Sequence, residues 1–137
     1  YVHDVRNRAA ALALDGTVRM HPGVTNGVAR DLFRGHSVYV NLTPSGSFDK
    51  TIGEAMATGS VVVVRNDVLR EIVPSTLFPA DDASQSVARA ISAALELDEG
   101  EREKVVRNGR EYIVREHSLS SLTRRLVPVL CGKDAVS

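Results

Sequence analysis

Residues 37–67, SVYVNLTPSGSFDKTIGEAMATGSVVVVRND, decide the fold. The first part, "SVYVNLTP", is rich in β-branched and aromatic residues and reads as a strand. "TPSGSFDKTIGEAMATG" (43–59) then reads as a polar, glycine-bearing loop running into a short helix. "SVVVVRND" reads as a second strand. Its four consecutive valines predict burial on both faces, as in a parallel sheet covered by helices. Strand, loop, helix and strand in this order form one βαβ unit.

Outward from this unit the same alternation continues. Val2, Val5, Ala9 and Leu12 recur at helical spacing, and Gly16 closes that helix. "TVRMHPGV" reads as a short strand stopped by Pro22 and Gly23. "TNGVARDLFRG" reads as a helix capped by Thr25 or Asn26, with Val28, Leu32 and Phe33 inward. Past the valines, "DVLREIV" is a short helix ended by Pro74, and "STLFPA" a fourth strand. Residues 83–97 form an amphipathic helix with Val87, Ala90, Ile91, Ala94 and Leu95 on one face. The charged turn "LDEGEREK" leads to a helix ending near His117, where Tyr112, Ile113 and Val114 are packing residues. "SLSSLTRRLVPVL" is the last helix, bent or ended at Pro128, and the tail after Gly132 is expected to fray. Its stripe of Leu119, Leu122 and Leu126 suits the core first and an interface second. The alternation predicts an α/β fold, a Rossmann-like three-layer parallel sheet with helices on both faces. Crossovers are expected to be right-handed, with a ligand at the carboxyl ends of the strands.

Composition narrows the partners. The 137 residues suffice for one domain, and no internal boundary or repeat is visible. Lys plus Arg (17) balance Asp plus Glu (17), which gives no reason to expect nucleic acid or an anionic membrane as a partner. Three Tyr and three Phe are too few for a base-stacking platform. The single cysteine, Cys131, fits a reducing, cytoplasmic compartment. The four histidines lack metal-ligand spacing, so no metal is expected. No run approaches the roughly 20 apolar residues that span a bilayer. A chain starting at Tyr1 without signal or methionine is expected to be processed, or part of a longer one.

The 43–59 stretch carries the candidate chemistry. Gly46 permits a tight turn or a close approach to a ligand. Ser47, Phe48, Asp49, Lys50 and Thr51 lead into the helix, whose first N–H groups lack internal partners and sit at the positive end of its dipole. A phosphate there meets several donors, and Lys50 adds a charge. Most helix starts, however, hold only water. Glu54 has bland readings too: Thr51-x-x-Glu54 fits a capping box, and Lys50 and Glu54 can pair at i, i+4.

"GSFDKTIGEAMATGSVVVVRND" followed by "REIV" resembles the donor-binding half of the retaining glycosyltransferases of family 4, whose fold is GT-B. Their hallmark runs approximately Pro-Ser-x-Glu-Gly-Phe-Gly, four residues, then Glu-Ala-Met-Ala-x-Gly. The resemblance extends back through "VRNRAAALALDGTVRMHPGVTNGVARDLFRGHSVYVNLTP" and on through "STLFPADDASQSVARAISAAL" and "NGREYIVREHSLSSLTRRLVPVL", essentially the whole chain. It implies the partial C-terminal domain (1–137) of a hexosyltransferase that uses a nucleoside diphosphate sugar, commonly without a metal or other cofactor. It places Glu54 on the second acid of the family's Glu-x7-Glu pair, which holds the ribose hydroxyls. Gly46, Ser47, Phe48, Asp49, Lys50 and Thr51 match the segment around the diphosphate and sugar. His21 falls near the nucleobase, or is an exposed turn residue.

Two departures qualify the resemblance. Gly46 stands where the family has its first acid, so Asp49 either supplies a catalytic carboxylate or caps the helix. A strand, helix and strand that open the family's domain are missing, as is the acceptor-binding N-terminal domain. The sheet is therefore expected to be an incomplete half of a GT-B fold, completed by that domain or by another chain, and this segment alone is expected to be inactive. The resemblance also admits a homo-oligomer and peripheral membrane association of the full enzyme. The alternatives are a sugar-nucleotide epimerase of the same fold and a non-catalytic binding or assembly module.

Overall fold

The computed structural model describes residues 2–12, 14, 16–43 and 49–132. Its centre is the βαβ unit: β1 (Val38–Asn41), α3 (Lys50–Thr58) and β2 (Val61–Val64). The two strands run parallel, with Val38 opposite Val61 and Asn41 opposite Val64. Successive strand side chains point to opposite faces. Val61, Val62, Val63 and Val64 are all buried, so both faces of β2 are covered. The core joins these valines to Ile52, Ala55 and Met56 of α3, to Leu69, Val73 and Leu77, and to Ala90 and Ala94 of α4 (Ser84–Glu96).

Local chemistry ends α3 sharply. Gly59 has φ 99, a left-handed conformation. Its N–H reaches Met56 O, and Ser60 N–H reaches Ala55 O at 3.0 Å, the paired bonds of a Schellman turn. A Cβ at Gly59 would meet only Val106 Cγ1, at an ordinary 3.7 Å. The cost of Gly59→Ala is therefore backbone strain, about 1–2 kcal/mol. Thermal melting should show a lower Tm with unchanged folded spectra; an unchanged Tm would mean that the turn is not left-handed.

Ser60 then ties α2 (Asn26–Gly35) to the sheet, its hydroxyl lying 3.0 Å from Phe33 O and 3.2 Å from His36 O. Phe33 meets Tyr39 of β1 edge to face, 5.2 Å between ring centroids. Behind α3 runs α5 (Glu99–His117), which begins with a capping box between Asp98 and Glu101. Gly109 lets α5 come close, because a Cβ there would lie 3.1 Å from Met56 Cε.

The three-layer Rossmann-like sheet expected from the sequence, and with it the half GT-B fold, is not what forms. The described residues are mostly helical and their only sheet has two strands. Two expected strands fail for separate reasons. In residues 17–24, the N–H groups of Thr17 and Val18 turn back to Leu14 O, both at 2.8 Å. A groove of about 900 Å³ is lined by residues of this segment and of β1, and the sheet of the described residues holds only β1 and β2. In residues 75–80, Ser75–Leu77 forms a 3-10 turn; Leu77 N–H bonds Pro74 O and Phe78 N–H bonds Ser75 O. Pro79 has no N–H to donate. The residues of 75–80 still build the core, through Leu77, but not through a ladder.

Several inward-facing assignments also change. α1 (Val2–Ala11) buries none of its residues, and Val2 and Leu12 are exposed. Val28, Leu95 and Val114 are exposed, while Phe33, Ala93, Tyr112 and Ile113 pack on the core. α6 (Leu119–Leu130) continues through Pro128, and its leucine stripe faces solvent rather than the core. The tail after Gly132 lies outside the described residues. No helix among the described residues is long and apolar enough to cross a membrane.

Candidate functional site

The site begins where β1 ends. Asn41 closes the strand with its side chain on the same face as Tyr39, and from there it grips both ends of the loop. Its Oδ1 accepts from Thr43 N–H at 3.0 Å, and its Nδ2 donates to Asp49 Oδ2 at 3.0 Å. Nδ2 also lies 3.3 Å from both Tyr39 OH and Thr51 Oγ1. One amide thus bonds both Thr43 and Asp49. Gly46, Ser47 and Phe48 lie outside the described residues.

Asp49 is the N-cap of α3. Its Oδ1 accepts from Thr51 N–H at 2.9 Å and from Thr51 Oγ1 at 2.7 Å. Thr51 Oγ1 gives its proton to Asp49, so Tyr39 OH is the donor across their 2.7 Å contact. The carboxyl is held below its ordinary value of 3.8, first by the Thr51 hydroxyl, then by the Thr51 N–H, then by Asn41. An acid whose folded pKa is depressed adds stability that is present above its unfolded value. That stability is lost as pH falls through the folded value. Asp49→Ala should cost about 0.5–2 kcal/mol near neutrality. The gap from the parent should shrink below pH ~4. Urea melts across pH 2–7 would test this, and a gap that stayed constant would contradict the charged cap.

This cap reshapes the expected anion site. The Asp49 carboxylate occupies the position at the helix start that a phosphate would take. Ile52 N–H and Gly53 N–H are engaged by Asp49 O, at 3.1 and 3.4 Å. Lys50, the first residue of the helix, is exposed. Of the two readings of Asp49, the cap is the one with geometry on its side.

Glu54 lies one turn into α3 and is exposed. The capping box with Thr51 does not form, because the N-cap is Asp49 and the third helical residue is Ile52. No ion pair joins Glu54 to Lys50 among the described residues. The side chain instead borders two depressions. One, of about 260 Å³, is lined by Asn26, Arg30, Phe33, Glu54, Ala57 and Thr58. The other, of about 420 Å³, adds Lys50, Gly53, Ile113 and His117. Its carboxylate accepts no hydrogen bond from the described residues and can receive two neighbouring hydroxyls.

His21 is exposed and lines the groove beside β1 with Arg19 and His36, a groove whose lining does not include Glu54. Among the described residues, no three His, Cys, Asp or Glu side chains converge as metal ligands would. Asn41 and Tyr39 were missed by sequence reasoning. The available signal was an Asn ending a strand just before a polar loop, where its amide can satisfy turn backbone.

No protein-family model matches the chain, and neither a curated protein nor a solved structure matches it.

Proposed function

We propose that this chain is the donor-binding part of a retaining glycosyltransferase of the family 4 kind, acting in the cytoplasm within a longer enzyme. It would hold a nucleoside diphosphate sugar while a hexose passes to a sugar or lipid acceptor. One observation carries the reading: Glu54 presents a carboxylate without a partner among the described residues, between two depressions on α3, beside a loop whose ends Asn41 pins. Glu54 accepts the two ribose hydroxyls. Lys50 and the backbone of Gly46, Ser47 and Phe48 meet the diphosphate, whose growing negative charge in the transition state they offset.

A second reading, a binding module without chemistry, is favoured by one feature. Asp49 is committed to Thr51 and Asn41 and is poorly placed to replace the acid that Gly46 lacks. Calorimetric titration with UDP-glucose, GDP-mannose and ADP-glucose tests binding itself. One nucleotide should bind, and its 2′-deoxy form should bind about tenfold or more weakly, because a charge-assisted hydrogen bond is lost. Equal binding of ribo and deoxy forms, or no binding, would contradict the assignment. Product analysis with an acceptor then separates transfer, epimerisation and mere binding.

A further inference from the structure

The groove beside β1 plays no part in donor binding, for its lining includes neither Glu54 nor Lys50. Its volume is about 900 Å³. Small-molecule sites occupy roughly 300–1,000 Å³. Leu32 and Phe33 of α2 and Val38, Tyr39 and Val40 of β1 give the groove an apolar side. The other side has the opposite character. Thr17, Arg19 and His21 line the groove, whereas Val18 and Met20, which alternate with them, do not and are 39% and 40% exposed. A segment closing a core would turn Val18 and Met20 inward. This one turns in a hydroxyl, a guanidinium and an imidazole. No acid lines the groove among the described residues, and neither Arg19 nor His21 makes a hydrogen bond or ion pair with them. His36 lines it too, but its Nδ1 donates to Leu32 O at 2.6 Å. The permanent charge in the groove is therefore that of Arg19.

We propose that this groove binds a small organic anion, a carboxylate carried on an apolar body. The body packs on the α2 and β1 side and leaves water. The carboxylate pairs with Arg19, whose planar fork suits two oxygens, and His21 adds an N–H. Charge complementarity singles out this occupant. A neutral apolar guest gives Arg19 no counter-charge, and a small inorganic anion leaves the apolar side wet. Anion binding here is independent of donor binding, so the two readings stand or fall separately.

Amide NMR titration of the full 137-residue chain with octanoate tests this, beside octanol and octylamine as neutral and cationic partners of the same length. Octanoate should shift the amides of Arg19, His21, Phe33 and Val38 to Val40, and should bind about tenfold or more tightly than octanol, the worth of a charged hydrogen bond. Octylamine should not bind. Arg19→Gln should bring octanoate down to the affinity of octanol, and Val40→Asp, which sets a carboxylate against the guest, should weaken it further. Arg19 is exposed and bonds nothing among the described residues, so circular dichroism of Arg19→Gln should match the parent. Absence of saturable shifts at millimolar octanoate overturns the proposal. So does octanol or octylamine that binds as well, or octanoate binding that ignores Arg19→Gln. An acidic peptide that shifts these amides where octanoate does not would assign the groove to an extended chain and overturn it equally.

Discussion

Val63→Asp should leave the chain unable to fold, whereas Val40→Asp should not. Val63 is fully buried, in the strand covered on both faces. No cation sits in the apolar cluster around it. An unpaired carboxylate there suffers a desolvation penalty of several kcal/mol even after relaxation and loses the packing of the valine besides. Domain stabilities of about 5–15 kcal/mol leave little room for that. Val40 lies on β1, whose outer edge is unpaired among the described residues, and is 38% exposed. Its Asp keeps most of its hydration and should cost about 1 kcal/mol or less. Circular dichroism and urea melts of both variants decide the matter. A cooperative melt for Val63→Asp near that of the parent would mean that β2 is not the centre of the core.

Glu54→Gln should weaken the bound nucleotide about 10- to 100-fold while leaving the melt unchanged. Charged hydrogen bonds are worth about 1.5–3 kcal/mol, and the amide keeps one acceptor but loses the charge. Glu54 is exposed and makes no side-chain contact that holds α3 together, so stability is not at stake. This separation is the useful part. A Glu54 that merely faces solvent predicts no effect on either ligand or melt. Titration and melting of the same variant test this, and an unchanged affinity would contradict the ligand role.

The central unit was legible because several local signals agree. The valine run, Gly59 after "EAMAT" and the polar loop before it all point to β1–α3–β2. Residues 17–24 and 75–80 were misread because strand propensity says nothing about a partner. Thr17 and Val18 found Leu14 O, and Leu77 and Phe78 found 3-10 bonds. The α6 stripe was read as core by the usual rule that apolar faces turn inward, yet Ser121 took the inward side. At the site, Asp49 and Glu54 were both singled out, but their roles depended on which residue caps the helix. Asp49 and Thr51 are each plausible caps by residue type, and only the geometry selects Asp49. Asn41 escaped notice because its importance lies in two bonds closing a loop, a relation that sequence spacing does not display.

The most direct test of donor binding is an amide NMR titration of the chain with UDP-, GDP- and ADP-sugars. The expected result is a dispersed spectrum and, with one nucleotide, shifts concentrated at Asp49 to Met56 and at Arg30 and Thr58 beside Glu54. A dispersed spectrum with no shifts, or with shifts confined to residues remote from α3, would contradict it.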